Sequence, residues 1–287
     1  MTSDQTNSER LAACFAKARQ ENRLALGIFI TAGDPDLKTA QEILLGLPKC
    51  GVDFVELGMP FSDPMADGPA IQAASLRAIE AGTTLDKVLD MAQAFRGAHP
   101  TTPLILMGYY NPIYVYGKGR FLDKAVAVGV DGLLIVDLPM EEDGELCVDA
   151  QDKGLAFIRM LTPTSHRDRL TQLLPGATGF LYYVSITGTT GTRQADHASI
   201  ATASKRIRAT QKQIGKADMP LVVGFGIRTP QQIESLAGID GGVDGVVIGS
   251  AVVEEIAKLG KNNKSVAGVL TLIKELRAGA NRAKLKE

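Results

Sequence analysis

Two carboxylates in the stretch ELGMPFSDPMADGPAIQ, residues 56–72, stand at positions that suit proton transfer. Glu56 closes a short apolar run, and Asp67 follows in a loop that three prolines stiffen. Because side chains alternate along a strand, Phe54 and Glu56 share one face. A carboxyl group beside apolar side chains has a raised pKa, which suits a general acid/base near neutral pH. A second carboxylate on the adjoining loop would stabilise a developing charge.

Both carboxylates also have structural interpretations. Glu56 would form an ion pair with a lysine or arginine, but a glutamate that closes a strand is less often idle than one on a helix, so we favour acid/base chemistry. Asp67 stands just ahead of Gly68, Pro69 and a helical pattern, where it would be a good helix cap. On the local sequence, capping and catalysis are both open for Asp67.

A pair of tyrosines lies in the apolar run GFLYYVS, residues 179–185. Alternation places Phe180 and Tyr182 on one face of the strand and Tyr183 on the other. One tyrosine therefore faces the centre of the predicted fold and the other faces a helix. Filling the core is the ordinary role of either ring.

Three glycine-rich turns follow the last three apolar runs: TGTTG (187–191), GFGIRTP (224–230) and IGSAVVEEI (248–256). Backbone N–H groups in such turns bind anions, and a helix that begins near Ser250 adds its N-terminus. One such turn indicates little, because glycine suits any tight turn. Three at adjacent strand ends indicate a phosphorylated small substrate.

The elements that must position these residues repeat along the chain. Near-continuous apolar runs alternate with helical patterns, which predicts a parallel sheet covered on both faces. Eight such units predict one (β/α)8 barrel domain over residues 1–287, with chemistry at the C-terminal ends of the strands. An open doubly wound sheet is the alternative, but the turn after the first run reads TAGDPD instead of GxGxxG. The eight runs are residues 25–31, 52–57, 103–107, 132–137, 155–160, 179–185, 220–225 and 244–250.

Two helical segments are additional to the eight units. The segment Glu9–Glu21 precedes the first strand and would close the bottom of the barrel, and Gly82–Pro100 holds a helix before the third strand. The tripeptide Gly-Val-Asp stands ahead of three strands, at residues 51–53, 129–131 and 242–244. We interpret its glycine as the end of a helix that leads into the next strand.

Several kinds of chemistry are not favoured. The eight runs contain no lysine for a Schiff base, and His99, His166 and His197 share no spacing typical of a metal site. The three cysteines are isolated, and no GxSxG motif occurs. The pattern favours proton transfer on a substrate that carries its own electron sink.

Composition restricts the partners. The 287 residues carry a net charge of −1, which gives no reason to expect a nucleic acid. The N-terminal segment is polar and lacks a signal pattern, and no apolar run approaches the ~20 residues that span a bilayer. With isolated cysteines, these features predict a reduced, cytoplasmic protein.

The motifs taken together strongly resemble the tryptophan synthase α subunit family. ELGMPFSDPMADGPAIQ is the most specific, and FITAGDPD, MGYYNPIYVYG, VDLPMEE, YYVSITGTTG and GFGIRTP fall in the family's order across residues 29–250. The resemblance implies cleavage of indole-3-glycerol phosphate into indole and glyceraldehyde 3-phosphate. In this reaction, protonation of the indole ring at C3 makes it a leaving group.

The resemblance also implies roles for individual residues. Glu56 would be the acid/base, Asp67 would stabilise charge on the indole nitrogen, and Tyr182 would support the site. Thr190, in a lid at residues 187–195, would contact Asp67 on closure. The remaining assignments are a phosphate site at Gly191, Gly226, Gly249 and Ser250, and an indole pocket that includes Phe29, Tyr109 and Phe225.

The implied assembly is an α2β2 heterotetramer. The β subunit would carry pyridoxal phosphate and receive indole through a tunnel, while this chain would hold neither cofactor nor metal. Two alternative functions remain open: a non-catalytic regulatory barrel subunit, and a stand-alone indole-3-glycerol phosphate lyase. The sequence departs from the family pattern at two positions, Arg159 and Thr189. Arg159 stands in the fifth strand where an apolar residue is expected, and we expect it to point between barrel and helix with its charge reaching outward. Thr189 replaces a more usual valine in the lid.

Overall fold

The computed structural model describes residues 7–185, 197–224, 226–259 and 265–284. Within these ranges, nine strands form one sheet in which every neighbouring pair is parallel. The order in the sheet is β5-β4-β3-β2-β1-β9-β8-β7-β6. The strands are β1 (Ala25–Thr31), β2 (Phe54–Gly58), β3 (Leu104–Gly108), β4 (Gly132–Ile135), β5 (Ala156–Phe157), β6 (Arg159–Leu161), β7 (Leu181–Val184), β8 (Leu221–Gly224) and β9 (Gly245–Ile248).

The sheet closes through a strand that is divided in two. The strands β5 and β6 are separated only by Ile158, and β5 pairs with β4 while β6 pairs with β7. The two pieces are therefore the single fifth strand predicted from the sequence. The prediction of a (β/α)8 barrel is confirmed.

Helices surround the barrel, and none of those described is long and apolar enough to cross a membrane. The predicted N-terminal helix is α1 (Asn7–Gln20), and the predicted helix within Gly82–Pro100 is α4 (Leu85–Ala98). The described helices are α1 (Asn7–Gln20), α2 (Leu37–Gly46), α3 (Pro69–Glu80), α4 (Leu85–Ala98), α5 (Tyr110–Tyr116), α6 (Lys118–Ala127), α7 (Asp143–Asp152), α8 (Arg167–Leu173), α9 (His197–Gln213), α10 (Pro230–Leu236), α11 (Ser250–Ala257) and α12 (Ala267–Arg282).

The barrel interior is filled by inward-facing side chains in a cluster separate from the layer between sheet and helices. Its lower part is aromatic: the ring of Phe15, from α1, packs 5.7 Å from Phe54 and 5.6 Å from Phe180. Helix α1 therefore closes the bottom of the barrel, as its position in the sequence indicates.

The three Gly-Val-Asp repeats form one structural device at the bottom of the barrel. Their glycines have positive φ angles of 84°, 79° and 67°, as the interpretation of a helix end before a strand requires. Asp53, Asp131 and Asp244 each accept a hydrogen bond from a backbone N–H in the first two residues of the preceding strand, at 2.7–2.8 Å. Each aspartate therefore fixes the register of two neighbouring strands.

The same aspartates anchor α1 and the turn after it. Arg10 of α1 pairs with Asp131 at 2.6 Å, Arg19 pairs with Asp244 at 3.3 Å, and Arg23 donates two hydrogen bonds to the carboxylate of Asp53. Arginines from α4, α9 and α12 complete the three clusters. The repeated motif thus holds the closing helix against the barrel.

Arg159 behaves differently from the sequence-based expectation. Its side chain points from β6 toward α7, lies over the ring of Phe157 at 4.8 Å, and pairs with Asp143. It is 4% exposed, so the expectation that its charge reaches out to solvent is wrong. The acidic first turn of α7 supplies a partner inside the structure, which the strand sequence alone did not indicate.

Candidate active site

Glu56 lies inside the barrel near its C-terminal end. On β2 it shares the inward face with Phe54, and it stands beside Phe29 of β1 and Ile105 of β3 in the register of the sheet. The side chain is completely buried, and neither carboxylate oxygen has a hydrogen-bond partner among the described residues. The alternative of a structural ion pair is therefore wrong. Burial raises the pKa of Glu56 to about 8, so this carboxyl group is largely protonated near neutral pH.

Tyr182 faces the same interior from β7, while Tyr183 belongs to the outer layer between sheet and helices. The phenol of Tyr182 lies across Gly224 of β8: a Cβ atom at Gly224 would stand 2.0 Å from its oxygen. Only glycine accommodates this close approach. Burial, with the charges of Glu56 and Asp67, raises the pKa of Tyr182 well above its usual value. The phenol therefore stays protonated and lies within the electrostatic reach of both carboxylates.

Asp67 does not cap the helix that follows it. The N-cap of α3 is Gly68, and no side chain caps this helix. The Asp67 carboxylate instead accepts a hydrogen bond from the hydroxyl of Tyr109. Burial raises the pKa of Asp67 to about 6, against the effect of this hydrogen bond, which lowers it. The helix-cap alternative is wrong, and Asp67 is a half-buried carboxylate at the mouth of the barrel.

Tyr109 organises the loop that carries Asp67. Its hydroxyl accepts a hydrogen bond from the backbone N–H of Ala66 at 3.0 Å while it donates to Asp67, and its ring packs 5.2 Å from the ring of Phe61. Tyr109 directly follows β3, so it connects a rigid strand to the loop. The sequence motif indicated an apolar pocket wall here but gave no sign of the hydroxyl contacts.

A narrow cleft opens beside these groups. Phe29 and Tyr109, both predicted for the aromatic pocket, line it together with Asp67 and Met107. Glu56 is the neighbour of Phe29 in the sheet register, so the buried acid lies next to the cleft. Phe225, the third predicted pocket residue, is outside the described part of the chain.

The ends of β8 and β9 carry the predicted phosphate residues Gly226, Gly249 and Ser250. Gly249 is the N-cap of α11, which begins at Ser250, and no side chain caps it. The neighbouring helix α10 differs, since Thr229 and Gln232 form a capping box there. An uncapped helix N-terminus presents backbone N–H donors and the positive end of the helix dipole.

Arg228, in the turn after β8, is paired with Glu254 of α11. The N-terminus of α11 would offer backbone N–H groups to an anion. Gly191 and Thr190, predicted for phosphate binding and for the lid, are outside the described residues. In the described ranges, no group of histidine, cysteine and acidic residues could hold a metal ion.

Two further polar residues of the cleft were not found by sequence reasoning. Thr31 and Ser75 line it, from the end of β1 and from α3. The position of Thr31, two residues beyond Phe29 on the same strand face, is the signal that could have indicated it.

The closed parallel barrel and the buried carboxyl group at its mouth define a (β/α)8 barrel protein with its polar site at the C-terminal ends of the strands. The chain belongs to the tryptophan synthase alpha chain family, whose sequence model matches residues 15–281. Members of this family are lyases of tryptophan biosynthesis, and the alpha chain is free of cofactor.

Solved structures agree with this assignment. Tryptophan synthase subunit alpha from Legionella pneumophila str. Paris is 35% identical with a TM-score of 0.82, over 95% of this chain and 98% of that one. A structure from Aquifex aeolicus VF5 is 32% identical with a TM-score of 0.84, over 94% and 98%. Tryptophan synthase from M. tuberculosis, in its aminoacrylate-bound form, is 28% identical with a TM-score of 0.82, over 94% and 99%.

Proposed function

We propose that this chain cleaves indole-3-glycerol phosphate into indole and glyceraldehyde 3-phosphate as the α subunit of tryptophan synthase. The observation that carries the proposal is Glu56, a completely buried carboxyl group without a partner among the described residues, at the mouth of the barrel. An orphaned buried acid is unfavourable for folding, so it is usually kept for chemistry. Its neighbours Phe29 and Tyr109 provide the flat apolar surfaces that an indole ring requires.

The proposed reaction needs one proton donor and acceptor. The carboxylic acid of Glu56 protonates the indole ring at C3, and the positive charge moves to the ring nitrogen. The carbinol hydroxyl then loses its proton to the Glu56 carboxylate, a carbonyl group forms, and the electron pair of the broken carbon–carbon bond returns to the ring. Glu56 ends the cycle protonated, and no external oxidant or reductant is involved.

Asp67 has the complementary task in this proposal. Its carboxylate, held by Tyr109, would accept the hydrogen bond of the indole N–H and stabilise the positive charge that develops there. Glu56 must be protonated and Asp67 ionised at the same time. Two carboxyl groups with different environments and different pKa values are the typical arrangement for such paired roles.

Substrate binding would use the opposite end of the site. The uncapped N-terminus of α11 at Gly249 and Ser250, with the adjacent turn at Gly226, is a suitable cradle for the phosphate group. The strand register places the end of β9 beside that of β8, and β9 also pairs with β1, which carries Phe29. A molecule with an aromatic end and a phosphate end fits this layout.

The pH dependence of cleavage tests the two ionisation states. We expect kcat/KM to be bell-shaped, with an acidic limb near 6 from Asp67 and an alkaline limb near 8 from Glu56. Tyr109→Phe removes the donor to Asp67, so the Asp67 pKa rises and the acidic limb should move up by about one pH unit. The measurement is initial indole release across the pH range.

The matched control for this experiment is Tyr110→Phe. The Tyr110 hydroxyl binds Glu145 on α7, away from Asp67, so its loss should leave both limbs in place. An acidic limb that stays unchanged in Tyr109→Phe would contradict the assignment of that limb to Asp67.

An exposed apolar surface beside the site suits a protein partner. Met65, Tyr114 and Val115 are large apolar side chains that are mostly exposed. The hydrogen bond between Ala66 and Tyr109 joins the loop that carries Met65 to the residue that leads into α5, which carries Tyr114 and Val115. We propose that this surface contacts a β subunit that carries pyridoxal phosphate and receives indole, in an α2β2 heterotetramer.

The decisive experiment measures indole release from indole-3-glycerol phosphate by the purified chain, with and without an added tryptophan synthase β subunit. Slow release that rises strongly with the β subunit supports both the reaction and the partnership. Rapid release by the chain alone would indicate a stand-alone lyase. No release in either condition, combined with activation of the β subunit, would indicate a non-catalytic regulatory subunit and would overturn the proposed reaction.

A further inference from the structure

The cleft contains a buried hydroxyl group that the proposed reaction does not use. Thr31, the last residue of β1, is 1% exposed, and its Oγ1 has no hydrogen-bond partner among the described residues. More than about 90% of buried polar groups in proteins are hydrogen-bonded, so an orphan of this kind requires an explanation. A ligand group that is absent from the structure is one such explanation.

The position of Thr31 connects it to the aromatic pocket. Along β1, Thr31 follows Phe29 on the same face, and its neighbour in the sheet register is Gly58, one inward-facing position beyond Glu56. The hydroxyl therefore lies above the level of Glu56 and Phe29, toward the mouth of the barrel. Thr31 lines the same cleft as Asp67 and Tyr109.

A second hydroxyl group lines the same cleft. Ser75 of α3 is 4% exposed and lines this cleft as well. Apart from Asp67 and Tyr109, Thr31 and Ser75 are the polar side chains of the cleft, and Phe29, Met59 and Met107 are among its apolar ones. A plain indole ring offers only its N–H, which Asp67 would bind in the proposed reaction, so the ring would leave the Thr31 hydroxyl without a partner.

We propose that Thr31, supported by Ser75, is a specificity-determining residue that accepts substrates bearing a small polar substituent, a hydroxyl or an amino group, on the benzo ring of the indole. This inference rests on the proposed cleavage of indole-3-glycerol phosphate. A ring hydroxyl or amino group would supply the hydrogen bond that the buried Thr31 hydroxyl lacks. A site with an unsatisfied hydroxyl discriminates between ligands that do and do not satisfy it.

The test compares kcat/KM for indole-3-glycerol phosphate with kcat/KM for its benzo-ring hydroxyl isomers, using the full chain with a β subunit. Thr31→Val keeps the shape of the side chain and removes the hydroxyl. For at least one isomer, we expect the ratio of kcat/KM for the hydroxylated substrate to kcat/KM for the plain substrate to fall about fivefold in Thr31→Val. A loss of this size corresponds to one hydrogen bond. Thr31→Ser keeps the hydroxyl and should restore the ratio.

Thr83→Val is the matched control. Thr83 Oγ1 is also buried without a partner among the described residues, but it packs against Gly33, outside the cleft. Its loss should leave the ratio unchanged. The inference would be overturned if, for every isomer, the ratio of kcat/KM for the hydroxylated substrate to kcat/KM for the plain substrate were the same in the original chain and in Thr31→Val. Cleavage of the plain substrate would in that case still support the proposed function. Failure to cleave the plain substrate would overturn the proposed function itself.

Discussion

Glu56→Gln is expected to slow the cleavage of indole-3-glycerol phosphate by about 10²–10⁴-fold, because an amide neither donates nor accepts the proton that moves between the carbinol oxygen and C3. The residue is completely buried and makes no hydrogen bond within the described structure, so a side chain of the same size fits its place. Loss of rate should therefore come without loss of fold. Single-turnover indole release measures the chemical step directly.

Stability provides an independent readout of the same substitution. Burial raises the pKa of Glu56 from 4.5 to about 8, so between these values the native state holds a proton that the unfolded state has lost. Stability then falls as the pH rises through this interval, by roughly 5 kcal/mol in all. Glutamine does not titrate, so Glu56→Gln should match the original chain near pH ~4 and exceed its stability above pH ~8.

Urea unfolding at both pH values measures this difference, and Glu42→Gln is the control because Glu42 is exposed on α2. The control should change neither the rate nor the pH dependence of stability. If Glu56→Gln cleaved the substrate at the normal rate, the assignment of Glu56 as the acid/base would be contradicted. If it showed the same pH-dependent fall in stability as the original chain, Glu56 would not be the buried titrating group.

Asp131→Asn is expected to lower the free energy of unfolding by about 3–5 kcal/mol, because it leaves buried guanidinium groups without their counter-charge. Asp131 is completely buried and binds Arg10 and Arg96 at 2.6 Å, as well as the backbone N–H of Leu104. Asparagine has the same shape but places an amide where the second carboxylate oxygen accepted a hydrogen bond. Urea unfolding near neutral pH measures the loss.

The equivalent aspartate of another Gly-Val-Asp repeat is the matched control. Asp244 also binds two arginines and a strand N–H, but its side chain is 15% exposed and Arg19 is mostly exposed, so solvent screens the pair. Asp244→Asn should therefore cost clearly less than Asp131→Asn. Equal losses would show that the shared hydrogen bond to the strand, not the buried charge, is what stabilises this end of the barrel.

The proposed catalytic end and the stabilising end of this barrel are opposite ends of the same strands. Asp53, Asp131 and Asp244, at the N-terminal ends of the strands, form ion pairs with arginines. Glu56 and Asp67, at the C-terminal ends, have no arginine or lysine partner among the described residues. A buried ionisable group without a counter-charge is unfavourable for stability and useful for chemistry. We expect folded Asp131→Asn protein to retain its activity for this reason.

Some of the site could be predicted because its information is local. The two-residue period of a strand places Glu56 and Tyr182 on inward faces, and the alternation of eight strands with helices specifies a parallel barrel. These features depend on backbone geometry and apolar patterning, which neighbouring residues determine. The start of α11 at Ser250 follows in the same way from the glycine before it.

Other features depended on partners far away in the chain. Asp67 has the sequence of a helix cap, and only Tyr109, brought to it by the end of β3, gives its carboxylate another partner. Arg159 is buried instead of solvent-exposed because Asp143 stands opposite it. The aspartates of the three repeats look like turn residues until the strand order brings each one against the strand beside it.

The sequence by itself therefore determined the barrel, the inward faces and the presence of two carboxylates at its mouth. The tertiary structure decided which charges are paired, which carboxyl group is protonated and which hydroxyl remains without a partner. The physical reason is range: alternation and helix ends are set within a few residues, whereas desolvation and pairing depend on every element that packs around a group. Glu56 illustrates both, since its direction follows from β2 and its raised pKa follows from the whole barrel.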